Sequence, residues 1–166
     1  MLTRIGAGWL ETAFVAATLA WPAALVAASY AVTHRSPQDV VFRAGAAVYV
    51  LGSLVCHQRA DRSFHVWQSQ LPVCARCAGI YCGAAFGVVL ALILRRWKVR
   101  RHPRSTSAPR PGSWRTVILL GSLPTVASVM LEWVGLPDQS TGWRAATGFP
   151  LGLIVAWLAT EAVCDR

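Results

Sequence analysis

The stretch "LPVCARCAGIYCGAAFG", residues 71–87, decides how this chain is read. It opens with Cys74 and Cys77 in a C-x-x-C, the spacing of a metal knuckle or a redox pair. Within one helical turn it becomes the start of a charge-free apolar run that continues to Leu94. A second such run, "TVILLGSLPTVASVML", covers 116–131. With their flanks, both runs reach the roughly 17–25 residues that cross about 30 Å of hydrocarbon as helix.

Composition points the same way. Hydrophobic residues make up 55% of the 166 residues and charged ones 14%, with a mean hydropathy of +0.45. Too few polar side chains remain to coat a soluble globule. The expected fold is therefore an all-α polytopic membrane bundle, one integral membrane domain over 1–166. Five spans are expected, about 10–33, 40–57, 78–95, 116–135 and 143–163. Arg43 near the start of the second can snorkel to the headgroups. The first span follows Arg4 as a signal peptide would, but its length and Glu11, Trp21 and Pro22 suit a retained helix.

The net charge of +9 is concentrated rather than spread. Eight of the sixteen Lys and Arg fall in "RRWKVRRHPRSTSAPRPGSWR", residues 95–115, the linker after the third span. Basic residues beside a span are held on the cytoplasmic side, and anionic lipid headgroups suffice as their partner. No nucleic-acid partner is needed. With five crossings, a cytoplasmic 96–115 linker puts the N-terminus outside, the C-terminus in the cytoplasm, and the 58–77 loop outside. The localisation expected is the cell membrane.

Gly79, Gly83 and Gly87 recur every fourth residue in the third span, and Gly148 and Gly152 repeat the spacing in the fifth. Small residues so spaced let helix backbones approach closely. The same faces would also serve a homodimer. Pro22, Pro124 and Pro150 are expected to kink their helices.

On this topology the polar exceptions converge at the outer boundary. Cys56 and His57 end the second span, while Cys74, Arg76 and Cys77 begin the third. Glu132 lies near the outer end of the fourth span, Asp138 and Gln139 in the outer loop, and Arg144 at the start of the fifth. Such groups at membrane depth are costly unless paired or ligated. Two chemistries fit them. One is a metal site of Cys56, His57, Cys74 and Cys77, suited to zinc and, through soft thiolates, to copper. Arg76, Glu132 and Arg144 would then support the ligands or bind an anion. The other is thiol–disulfide exchange, with Cys74 and Cys77 cycling, Cys56 as a further thiol and a quinone as electron acceptor. A static disulfide from Cys56 to Cys74 or Cys77 is the third. Cys82 and Cys164 read as small packing residues. No nucleophile triad, phosphate loop or dinucleotide fingerprint supports a hydrolase or a nucleotide-driven pump.

The residues Cys56, His57, Gln58, then Arg62, Ser63, Phe64, then Pro72, Cys74, Arg76, Cys77, Gly79, Ile80, Tyr81 and Gly83 form a pattern. In it the chain resembles a family of small bacterial and archaeal predicted integral membrane proteins, catalogued as a domain of unknown function. The resemblance extends over about 40–163. It is strengthened by Arg144, Thr147, Gly148 and Gly152, which match the family's later Arg-x-x-Thr-Gly-x-x-x-Gly. The loop "EWVGLPDQSTGW" departs from the family's acidic-Gly form. The resemblance implies a multi-pass membrane protein with a shared Cys/His cluster, and no activity.

Overall fold

The structure, a computed structural model, describes the backbone of residues 2–101, 113–135 and 140–164, with side chains over 8–97, 114–135 and 140–163. Asp138, Gln139, most of the basic linker and the Cys164 side chain lie outside these described residues. The elements run α1 (Leu2–His34), α2 (Val40–Val55), a short 3-10 turn (Ala60–Arg62), β1 (Ser63–Val66), β2 (Ser69–Cys74), α3 (Ala75–Arg101), α4 (Ser113–Trp133) and α5 (Thr141–Cys164). Helices dominate, as an all-α membrane bundle requires.

Among the described residues, four helices contain segments long and apolar enough to cross a bilayer: Gly8–His34, Ala75–Trp97, Trp114–Trp133 and Thr141–Val163. The expected second span is not among them. α2 has 16 residues, which at 1.5 Å per residue is about 24 Å, short of the hydrocarbon thickness. Asp39 caps its N-terminus by accepting from the Val41 amide at 2.9 Å. Its last turn ends at Cys56, where the backbone becomes extended.

The short α2 changes the topology. Ser29 donates to the Gln70 carbonyl at 3.4 Å, Leu25 packs with Val73 and Cys56, and the Trp21 and Tyr81 rings meet edge to face. Numbers fall along α1 as they rise from β2 into α3, so α1 runs antiparallel to α3. Its N-terminal end therefore lies at the end of the bundle where α3 finishes. The five-span expectation placed it at the opposite end. α2 and the hairpin instead fold back over the C-terminal part of α1.

α3 and α5 run parallel and in direct backbone contact. A Cβ at Gly79, Gly83 or Gly87 would overlap the carbonyl of Ala145, Phe149 or Leu153, and one at Gly148 or Gly152 would overlap that of Arg76 or Ile80. The two glycine faces expected from the sequence are thus used on each other. α4 packs antiparallel to α5, with the Thr125 hydroxyl donating to the Thr147 carbonyl at 2.7 Å. It turns Leu119, Leu120, Leu123 and Met130 outward, the surface a lipid-facing helix presents. Pro22, Pro124 and Pro150 lie within continuous helices.

Candidate metal centre

The expected outer loop of 58–77 contains an antiparallel β-hairpin, with His65 opposite Gln70 and Val66 opposite Ser69. Its two-residue turn places Trp67 at φ 51° and Gln68 at φ 63°, the left-handed geometry that favours Asn or Gly. Tertiary contact offsets that strain. The Trp67 ring packs edge-on against Tyr30 at 5.3 Å between centroids, and Tyr30 stacks on His34 at 4.3 Å.

Hairpin and α2 are locked together by polar ties to main-chain groups. Tyr49 donates to the Gln70 carbonyl at 2.5 Å. Gln58 donates to the Tyr49 and Pro72 carbonyls, at 2.7 Å each, and its own carbonyl accepts from Gln70 at 3.3 Å. A Cβ at Gly52 would overlap the Pro72 carbonyl, so α2 sits directly on the strand. These contacts bring the end of α2, with Cys56, beside the start of α3, with Cys74.

The Sγ atoms of Cys56, Cys74 and Cys77 all lie within 4.8 Å of one another. Cys56 is buried, the other two partly so, and all three are free thiols. The Cys74 amide donates to Cys56 Sγ at 3.2 Å. Cys74 immediately precedes α3, and Cys77 lies in its first turn, where the helix dipole favours negative charge. The Cys77 thiol donating to Cys74, together with backbone amides of the first turn, pulls Cys74 down to about 5.

Beside the thiols stands a charge cluster centred on Glu132 at the C-terminal end of α4. Its carboxylate receives Arg62 Nη1 at 3.1 Å and Arg76 Nη2 at 2.9 Å, with Arg144 Nε at 3.0 Å. Arg76 also donates to Ser128 at 2.9 Å. Four elements thus meet at one carboxylate, which satisfies the requirement that charge at membrane depth be paired. Outside it, Arg59 binds Asp61 and holds its carboxyl below the usual range. A cavity of about 350 Å3 lies over the thiols, bordered by His57, Gln58, Arg59, Arg62 and Arg76.

Three of the four expected ligands are therefore assembled. His57 is exposed on the cavity border and is not one of the clustered ligand atoms. It follows the C-cap of α2, and adjacent residues in extended chain point apart. Arg76, Glu132 and Arg144 do meet at one site. Arg62 was visible only as part of the family pattern, because its partner Glu132 is 70 residues away. Gln58 was likewise visible without its role. Cys82 is exposed rather than packed, and lines an apolar groove of about 470 Å3 with Phe64, Ala78, Gly79 and Phe149.

A polytopic helical bundle with a thiol cluster at one end of its spans is the class that fold and site define. Residues 56–158 match the family described as Predicted membrane protein (DUF2085), and the chain belongs to that family. It is 29% identical over 113 residues to an uncharacterized protein of Methanocaldococcus jannaschii, covering 66% of this chain and 64% of that one. The chain thus spans somewhat less than two thirds of that relative's length. An uncharacterized protein of Methanothermobacter thermautotrophicus is 28% identical over 106 residues, covering 63% of this chain and 83% of that one. No solved structure matches.

Proposed function

We propose that this protein holds one thiophilic metal ion, zinc or copper, on Cys56, Cys74 and Cys77 at the outer boundary of the cell membrane. The observation that carries this is the three Sγ atoms within 4.8 Å of one another. A tetrahedral zinc with Zn–S bonds of about 2.3 Å needs sulfurs roughly 3.8 Å apart, so modest side-chain rotation closes the site. The Cys74 amide on Cys56 Sγ supplies the outer-shell support that metal-bound thiolates use. Three protein ligands leave a tetrahedral ion one position open toward the cavity.

Sidedness follows from charge. Residues 95–115 comprise the end of α3, the start of α4 and the segment between them, at the helix ends remote from the thiols. Held in the cytoplasm and against anionic headgroups, that linker would leave the thiols outside and both chain ends inside. The test of metal binding is metal content per chain by plasma mass spectrometry, on protein purified in mild detergent without chelators or affinity metals. About one equivalent of zinc or copper is expected, lost in Cys74→Ser. Metal-free protein that takes up none on addition would refute the reading.

A second reading, thiol–disulfide exchange, draws on the apolar groove lined by Ala78 and Gly79, which follow Cys77 in α3. A quinone there would take two electrons from the Cys74 thiolate and Cys77 thiol, with the Cys77 proton and one proton from solvent, leaving a disulfide and a quinol. Cys77→Ser would then trap mixed disulfides on Cys74, whereas a metal site would simply lose its ion.

A further inference from the structure

We propose that a small oxyanion, of phosphate or carboxylate type, fills the open position of a zinc ion on the three thiols, held by Arg62 and Arg76. This rests on the metal reading and adds the ligand class. The cavity over the thiols is bordered on its cationic side by Arg59, Arg62 and Arg76. Around it the guanidiniums of Arg59, Arg62, Arg76 and Arg144 meet the carboxylates of Asp61 and Glu132. Four positive charges against two negative leave an excess of two in this cluster. Zinc on three thiolates carries one net negative charge, which leaves one positive charge for an incoming ligand.

The geometry agrees with the charge. Glu132 fixes Arg62 and Arg76 through one terminal nitrogen each, which holds the guanidiniums in place without using up their donors. The Nε atom of Arg62 is buried 3.6 Å from Asp61 Oδ2 and that of Arg76 is buried as well, so the terminal nitrogens that Glu132 does not engage are the donors offered to an anion. Guanidinium forks suit carboxylate and phosphate oxygens better than any neutral group. Fixed cations beside an open metal position select an anion, whose oxygen can bind the ion while its other oxygens take the arginine donors. A copper(I) ion on three thiolates, carrying two negative charges, would cancel the excess alone and leave no need for an anion.

The experiment uses full-length chelator-treated protein in a neutral detergent, loaded with cobalt(II) as a visible stand-in for zinc. Cobalt stoichiometry is measured first, and its absorption bands are then followed during titration with inorganic phosphate. A saturable band shift is expected, weakened at least tenfold in Arg62→Gln at unchanged cobalt stoichiometry and partly restored in Arg62→Lys. In a parallel titration with short-chain phosphatidic acid, a shift there and not with inorganic phosphate would identify a lipid headgroup as the source. One equivalent of cobalt with bands insensitive to both would overturn the anion while leaving the metal site standing. Failure to bind cobalt or zinc would remove both.

Discussion

Arg62 Nη1 lies 3.1 Å from Glu132 Oε2, tying the hairpin region to the end of α4 across 70 residues of sequence. With Arg76 and Arg144 on the other oxygen of the same carboxylate, Glu132 is shared by three cations on three segments. Removing Glu132 takes away the carboxylate that all three cations share in a poorly solvated place. Glu132→Gln is expected to destabilise the protein by about 3 kcal/mol, the low end for a broken buried pair because Arg62 is partly exposed. A thermal melt in detergent reads this, and an unchanged midpoint would show that the cluster is not structural.

The parallel contact of α3 and α5 makes a second prediction. Gly83→Ala places a methyl against the Phe149 backbone, which cannot move as a side-chain tip could. A loss of about 1–3 kcal/mol is expected, as for overpacking generally. Gly8→Ala is the control, since nothing lies within 4 Å of a Cβ there, and a better helix former should be neutral or slightly stabilising. Equal melting points for the two variants would count against backbone contact between these helices.

Antiparallel α1 and α3 predict that a reporter fused ahead of Leu2 and one inserted in the 102–112 linker lie on the same side of the membrane. Five crossings would put them on opposite sides. Protease protection in oriented vesicles separates the two outcomes.

Cys74 gives a pH dependence. Hydrogen bonds to its sulfur favour the thiolate and hold it near 5, whereas an ordinary cysteine titrates near about 8.5. In metal-free protein its alkylation by iodoacetamide should hold steady from neutral pH down to about 6. It should then fall roughly tenfold per unit below about 5 as the thiol gains its proton. Peptide mass spectrometry reads Cys74 separately from its neighbours. A rate already falling between pH 9 and 7 would mean an unperturbed thiol.

What the sequence disclosed depended on range. The spans of α1, α3, α4 and α5 were legible because a bilayer demands long runs with few charges, and the charge-free stretch 78–94 meets that demand on its face. α2 is as apolar as its neighbours, and only its early end at Val55, followed by the Gln58 clasp, separates it from a span. The hairpin was hidden because Trp67 and Gln68 carry no turn signature, their left-handed backbone being held by Tyr30. Cys74 and Cys77 were local and legible, and Cys56 joined them through its level in the bundle. The exclusion of His57 depends on how the chain leaves α2, which adjacency to Cys56 does not reveal.

X-ray absorption at the zinc edge, on full-length protein reconstituted with one equivalent of zinc, measures the ligands themselves. Three sulfur scatterers at about 2.3 Å, falling to two in Cys56→Ser, are expected from the cluster of Cys56, Cys74 and Cys77. A shell of nitrogen and oxygen alone, or a sulfur count indifferent to Cys56, would contradict a metal centre built on these three thiols.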